Sequence, residues 1–322
     1  MSEFRTVIKA VKSDWEISHK DKVLMLGSCF TDNVGQKLLQ DKFDVLSNPF
    51  GTLFNPLALV NLVSRALDDK MFMKEEFFFE NELWHHWSLN TGFVGPNLDE
   101  LLESCNKQLL VLQEALISAN FLIITLGTAW VYRLKSQGEV VANCHKMDAA
   151  LFDKICLSAD EIQNVLAQGI DKCKGVNPDL KTLITLSPVR HWKDGAIDNS
   201  LSKSTLRLAI EQTLYENVRY FPSYEIMMDD LRDYRFYEKD LLHPSEMAVE
   251  YIYKFFEESF FTKSTSSLIG RINKLQQAMN HRPVHPESKN NIVFQNKIEE
   301  ELRSIDNDHP ELANRYKLKG LI

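Results

Sequence analysis

The chain has 322 residues, 44% of them hydrophobic and 25% charged, with a formal net charge of −8. That composition belongs to a globular protein with room for one large α/β unit and an appendage. The negative balance and the lack of any Lys/Arg run argue against a nucleic-acid partner, and no apolar stretch approaches the roughly 18 residues of a membrane span. The first sixteen residues break their apolar positions with charges, unlike a signal peptide. The five cysteines (29, 105, 144, 156 and 173) lack C-x-x-C spacing. Neither a disulfide framework nor a zinc site is expected from them, and a reduced, cytoplasmic protein is the simplest expectation.

In chain order, 23–26 (Val-Leu-Met-Leu) is an apolar run ending in Gly27, as a buried parallel strand requires. Residues 31–39 follow as an amphipathic helix with Val34, Leu38 and Leu39 on its apolar face. A second strand is expected at 43–46, then a helix from Pro56 to about Leu67 capped by Asn55. Residues 77–87 read as an inserted hairpin, 98–119 as a helix, and 121–126 as the clearest buried strand. A second hairpin is expected over 130–141. Ser158 and Glu161 form a capping-box signature for a helix to Cys173. A strand at 182–186, a helix over 202–220, a fifth strand at 224–228 and a last core helix from Pro244 to about Phe260 complete the series, with Met247, Ile252, Phe255 and Phe256 on that helix's apolar face. Residues 262–267 read as a linker, followed by a helix over 268–280, a rigid turn at 281–286 and another helix to about Ile305.

Five alternations of strand and helix with crossover-length connections imply an α/β fold, a five-stranded parallel sheet with helices on both faces. The expected division is 1–262 for this unit and 263–322 for a helical appendage packed on it. Ligands of such sheets sit beyond the carboxyl ends of the strands. The polar turns at 27–29, 47–52, 127–128, 187–191 and 240–243 therefore gather on one rim.

That rim carries the elements of nucleophilic catalysis. Gly27-Ser28-Cys29-Phe30 joins strand to helix and holds two nucleophiles, Cys29 and Ser28, at a helix N-terminus, whose field lowers a thiol pKa and stabilises an oxyanion. His243 is the candidate base and Asp240, three residues before it, the group that orients the imidazole. Without those partners, Cys29 reads as a packed free thiol and Asp240-x-x-His243 as a helix-terminal surface pair. Arg190 suits an anionic group on a substrate or a salt bridge with a nearby acid; His191 and His145 stand in neighbouring turns. No ligand spacing among His145, His191 and His243 suggests a metal.

These motifs, from Gly27-Ser28-Cys29-Phe30-Thr31 through Asn48-Pro49-Phe50-Gly51-Thr52, Asn143-Cys144-His145-Lys146, Ser187-Pro188-Val189-Arg190-His191 and Asp240-Leu241-Leu242-His243-Pro244, resemble the GSCFA family, with Thr31 where its name-giving motif has Ala. His281-Arg282-Pro283 and His285-Pro286 are similar to its C-terminal part. The resemblance implies kinship with SGNH (GDSL-type) esterases and acyltransferases, hence a three-layer α/β/α fold with the nucleophile after the first strand and Asp-x-x-His near the end. It also implies oxyanion donors at the nucleophile's own N–H, at a glycine matched by Gly51, and at an asparagine after the third strand. Here that strand ends Gly127-Thr128-Ala129-Trp130, without the asparagine. Asn48, Asn55 or the Thr128 hydroxyl stands as its replacement. The serine position of the superfamily holds Cys29, and Ser28 takes the place of its aspartate.

The expected function is hydrolysis of a small-molecule or glycan acyl ester, or acyl transfer, through a covalent intermediate on Cys29 or Ser28 and without a cofactor. The alternative is a non-catalytic glycan- or anion-binding protein that keeps the fold.

Overall fold

The structure, a computed structural model, describes residues 5–281, 287–312 and 315. At its centre lies a five-stranded sheet in the order β10–β9–β5–β1–β2, with every neighbouring pair parallel. Its strands are β1 (Lys22–Gly27), β2 (Asp44–Ser47), β5 (Phe121–Leu126), β9 (Lys181–Leu186) and β10 (Val218–Phe221); β3 (Phe78–Glu80) and β4 (Leu83–His85) form a separate hairpin, and β6 (Trp130–Leu134), β7 (Val140–Val141) and β8 (Phe152–Cys156) a small antiparallel sheet.

Nearly continuous apolar runs in β1 and β5 are buried on both faces because alternate side chains serve different layers. Leu24, Leu26, Leu122, Ile124, Leu126, Ile184 and Leu186 pack with helices α2 (Pro56–Leu67), α3 (Leu98–Ser118), α4 (Ala159–Val176) and α5 (Gly195–Thr213). Val23, Met25, Phe121, Ile123, Leu183 and Phe221 pack on the opposite side. There they meet α1 (Cys29–Gln40) and, beyond the short turn α6 (Ser223–Glu225), α7 (Glu246–Phe260). This is the expected three-layer α/β/α arrangement. α8 (Lys263–Asn280) and α9 (Lys289–Asp308) form their own apolar cluster through Leu268, Ile272, Ile298 and Ile305, while Ile269 joins the main core.

Local signals hold where a side chain satisfies the backbone directly. Asn55 Oδ1 accepts from the Ala58 N–H at 2.8 Å and caps α2. Ser158 and Glu161 close the capping box of α4.

Several expectations are corrected. The fifth strand is Val218–Phe221, and residues 224–228 instead belong to a helical turn with Ile226 and Met227 fully buried. Helix α5 starts at Gly195 and stops at Thr213 rather than spanning 202–220. The second hairpin gains a third strand, β8, against β6. Met247 lies on the outer side of α7 at 62% exposure. The expected linker belongs to α8, whose N-cap is Thr262, accepting from the Thr265 N–H. His281 ends α8, and the rest of the turn expected there, 282–286, lies outside the described residues. Among the described residues no helix is long and apolar enough to cross a membrane.

Candidate active site

The turn after β1 is built around Gly27. Its φ of +137° lies outside the range L side chains favour, and a Cβ would stand 2.2 Å from the Thr125 carbonyl oxygen of β5. Glycine lets the two strand ends close up and starts α1 at Cys29. Ser28 is the N-cap residue, yet its hydroxyl caps nothing: it is 1% exposed and Oγ has no partner among the described residues. Cys29, at the first helical position, is only half-buried. Its thiol is nevertheless shifted up, not down as the helix terminus led us to expect. Burial is the largest cause and the Asp32 carboxylate adds to it; hydrogen bonding from the Cys29 and Phe30 N–H groups and the charge of Lys203 only partly offset them.

Three of the expected oxyanion donors are already occupied. The Gly51 N–H donates to the Asn48 carbonyl at 2.7 Å, closing its own turn with φ +72°. Asn48 accepts from the Gly27 N–H through Oδ1 (2.8 Å) and donates from Nδ2 to Asp32 (2.9 Å), so it braces the turn between β1 and α1. The Thr128 hydroxyl accepts from the Trp130 N–H at 3.0 Å and pairs with Ser202 Oγ at 3.2 Å.

Asn55 is different. Its Oδ1 caps α2, while its Nδ2 has no acceptor among the described residues. It also stands beside the end of β5, because the preceding Phe54 carbonyl accepts from the N–H groups of both Gly127 and Thr128 (2.9 and 3.1 Å). An asparagine thus sits near the end of the third strand although the sequence places it in another segment.

Asp240 and His243 are in contact. The Asp240 Oδ2 to His243 Nδ1 distance is 2.6 Å, and Asp240 Oδ1 accepts from the Leu242 and His243 N–H groups at 2.9 and 3.0 Å. Those backbone donors, His243 first, and then the imidazole hold the Asp240 carboxyl down to about 2. Leu241 takes φ +61° to close the loop. Both side chains are about half exposed, at 48% and 47%, and Nε2 of His243 has no partner among the described residues. His243 lies close enough to His191 for its charge to weigh on that imidazole. Burial first, and then the Lys203 charge, push His191 down to about 4, so it is neutral at pH 7. A Cβ on Gly127 would stand 3.2 Å from its Nε2, which places His191 over the end of β5.

His145 belongs elsewhere. It packs with His85, Phe78 and Trp87 at the hairpin and its Nε2 bonds the His86 carbonyl at 3.0 Å. Arg190 has no carboxylate among the described residues; its Nη2 meets the Met228 sulfur at 3.1 Å.

One functional candidate escaped the sequence reading. Lys203 on α5 is 2% exposed, and its Nζ donates at 2.8 Å to both Gly127 O and Ser187 O, the carbonyls that follow β5 and β9. Burial pulls its pKa down to about 7, and Cys29 and Arg190 lie within reach of its charge. The signal was spacing: Lys203 falls on the face of α5 that carries Leu206, Ile210 and Thr213, all buried. Among the described residues no group of three His, Cys, Asp or Glu side chains is placed to hold a metal ion.

The GSCFA family model matches residues 22–256, well over half of the chain. No curated protein matches. Among solved structures the chain is similar to a carbohydrate esterase family 3 from Talaromyces cellulolyticus, with 10% identity over 79% of this chain and 99% of that one and a TM-score of 0.36. It is also similar to a Clostridium thermocellum family 3 carbohydrate esterase, with 11% identity over 78% and 97% and a TM-score of 0.34. Likenesses this loose transfer neither a residue nor an activity.

Proposed function

The chain belongs to the GSCFA family, and from that premise and the rim geometry we propose that it is an acyl-ester hydrolase or acyltransferase using Cys29, His243 and Asp240. The observation that carries the reading is the preformed Asp240–His243 pair, whose imidazole Nε2 has no partner among the described residues. Ser28 is the weaker nucleophile because its hydroxyl is shut away from any reactant.

In this reading the Cys29 thiol is protonated at neutral pH, so His243 Nε2 takes its proton as sulfur attacks the ester carbonyl. The C–O bond breaks, and the departing alkoxide receives that proton. Water, or an acceptor hydroxyl in acyl transfer, then attacks the thioester as His243 takes its proton, and Cys29 leaves protonated. The N–H groups of Cys29 and Phe30 and the Asn55 amide are the oxyanion donors, Asn55 in place of the asparagine the superfamily carries after its third strand. Residues 1–262 form the catalytic unit and 263–322 its accessory. The substrate is a small-molecule or glycan acyl ester. Five free thiols favour a reducing, cytoplasmic setting.

Turnover of p-nitrophenyl esters and thioesters of several acyl lengths tests the reading. The wild type should hydrolyse at least one, and Cys29→Ala and His243→Ala should fall to background. Equal rates in all three proteins would overturn it. The raised Cys29 thiol and the occupied Gly51 N–H favour a second reading, a binding protein that kept the fold. That reading predicts ligand binding that survives loss of both Cys29 and His243.

A further inference from the structure

We infer that the cavity beside the Asp240–His243 pair is a subsite for a single carboxylate, so that the molecule this protein acts on is a monoanion. The kinetic part of this inference rests on the proposed ester chemistry; the binding part rests on Arg190 and its surroundings alone.

The cavity, of about 500 Å³, is lined by Arg190, Trp192, Met228, Tyr234, Tyr237 and Asp240, among others. That volume lies in the range of small-molecule sites. The other charges around it are matched. Arg232 pairs with Asp229 at 2.9 Å, Asp233 with Arg235 at 3.0 Å, and Asp240 with His243 at 2.6 Å.

Arg190 is the exception. Among the described residues it has no carboxylate, its Nε is buried without an acceptor, and its one hydrogen bond is to the Met228 sulfur. A guanidinium offers five N–H donors in a planar fork, and a thioether is a weak acceptor. A carboxylate supplies the two parallel acceptors this fork lacks. The charge count limits the ligand further. Asp233 and Asp240 line the same cavity, and both are held ionised by their partners. A dianionic phosphate would place its second charge against them, whereas a monoanion meets the charge of Arg190, which no carboxylate matches among the described residues. Trp192, Tyr234 and Tyr237 offer flat apolar walls for the body that carries the charge.

The carboxylate belongs either to the acyl group or to the alcohol, and two pairs of probes separate these sources. Calorimetry compares D-glucuronate with D-glucose for the alcohol side, and monomethyl succinate with methyl butyrate for the acyl side. Kinetics compares p-nitrophenyl hemisuccinate with p-nitrophenyl butyrate, and O-acetylated methyl glucuronoside with O-acetylated methyl glucoside. In one pair the charged member should bind, or turn over, about tenfold better or more. Arg190→Gln should abolish that preference, and Arg190→Lys should restore part of it. Added NaCl should weaken charged binding to the wild type, a readout independent of whether a variant folds.

Equal behaviour of charged and neutral members in both pairs, or a charged preference that survives Arg190→Gln, would overturn the subsite. Charged-selective binding to the wild type and Cys29→Ala without turnover of any ester would keep the subsite and sink the esterase reading. Turnover of neutral esters without charged preference would do the reverse.

Discussion

Replacing Lys203 with methionine should make the stability difference between variant and wild type depend on pH in a way worked directly from the fold. The ammonium is 2% exposed, with two backbone carbonyls and, among the described residues, no carboxylate as partners, and burial lowers its pKa from 10.5 to about 7. The unfolded chain therefore holds this proton up to about pH 10.5, whereas the folded chain releases it near 7. Stability from the neutral amine is fully present above the unfolded value and is lost as pH falls towards the folded one. Between pH 10 and pH 7 the wild type should lose about 3–4 kcal/mol through this group. Methionine does not titrate, but it leaves Gly127 O and Ser187 O without their donor, at a cost of about 1–3 kcal/mol each. The variant should thus be clearly less stable at pH 10 and close to the wild type at pH 7. Urea unfolding of both proteins across that range reads the difference, and titrations common to both cancel. A stability difference that does not change with pH would refute the reasoning.

Asn55→Ser keeps a capping hydroxyl for α2 but removes the amide donor, so turnover should fall by about 10²–10³ with thermal stability nearly unchanged. Asn55→Ala should lose about 1 kcal/mol of stability as well. Unaltered turnover in the serine variant would remove Asn55 from the oxyanion site. Iodoacetamide labelling of Cys29 should reach half its limiting rate above pH 9.0, because burial and Asp32 raise the thiol from that value; a midpoint below it would contradict the local electrostatics. Asp240→Asn should cut turnover by about 10²–10⁴, and a smaller loss in kcat/KM would mean that the imidazole does not depend on the carboxylate.

Much of the fold was legible where burial and local capping agreed. The runs ending at Gly27, Leu126 and Leu186 are continuous because both sheet faces are covered. Asn55-Pro56 and Ser158/Glu161 mark helix starts through single hydrogen bonds. The edge strand was not legible. Val218–Phe221 is four residues long with only its ends buried, and it follows a helix closely, so it reads as that helix's tail. The neighbouring stretch with Ile226 and Met227 is more apolar but folds as a helical turn, an ambiguity periodicity alone does not resolve for short runs. At the site, Asp240 and His243 were legible because their spacing within one loop fixes the contact. Lys203 was not, since a lysine among serines resembles a solvated face until its register with Leu206 and Ile210 is followed. Gly51 misled for a different reason: residue identity does not reveal that its N–H already closes a turn.

The most direct test of the account is to mix the protein with p-nitrophenyl acetate, quench in acid within a turnover, and map the acyl group by peptide mass spectrometry. One acetyl group should appear on Cys29, persist when the quench is acidic, and be absent in His243→Ala. Release of p-nitrophenol with no adduct at Cys29, or an adduct that forms equally well without His243, would contradict it.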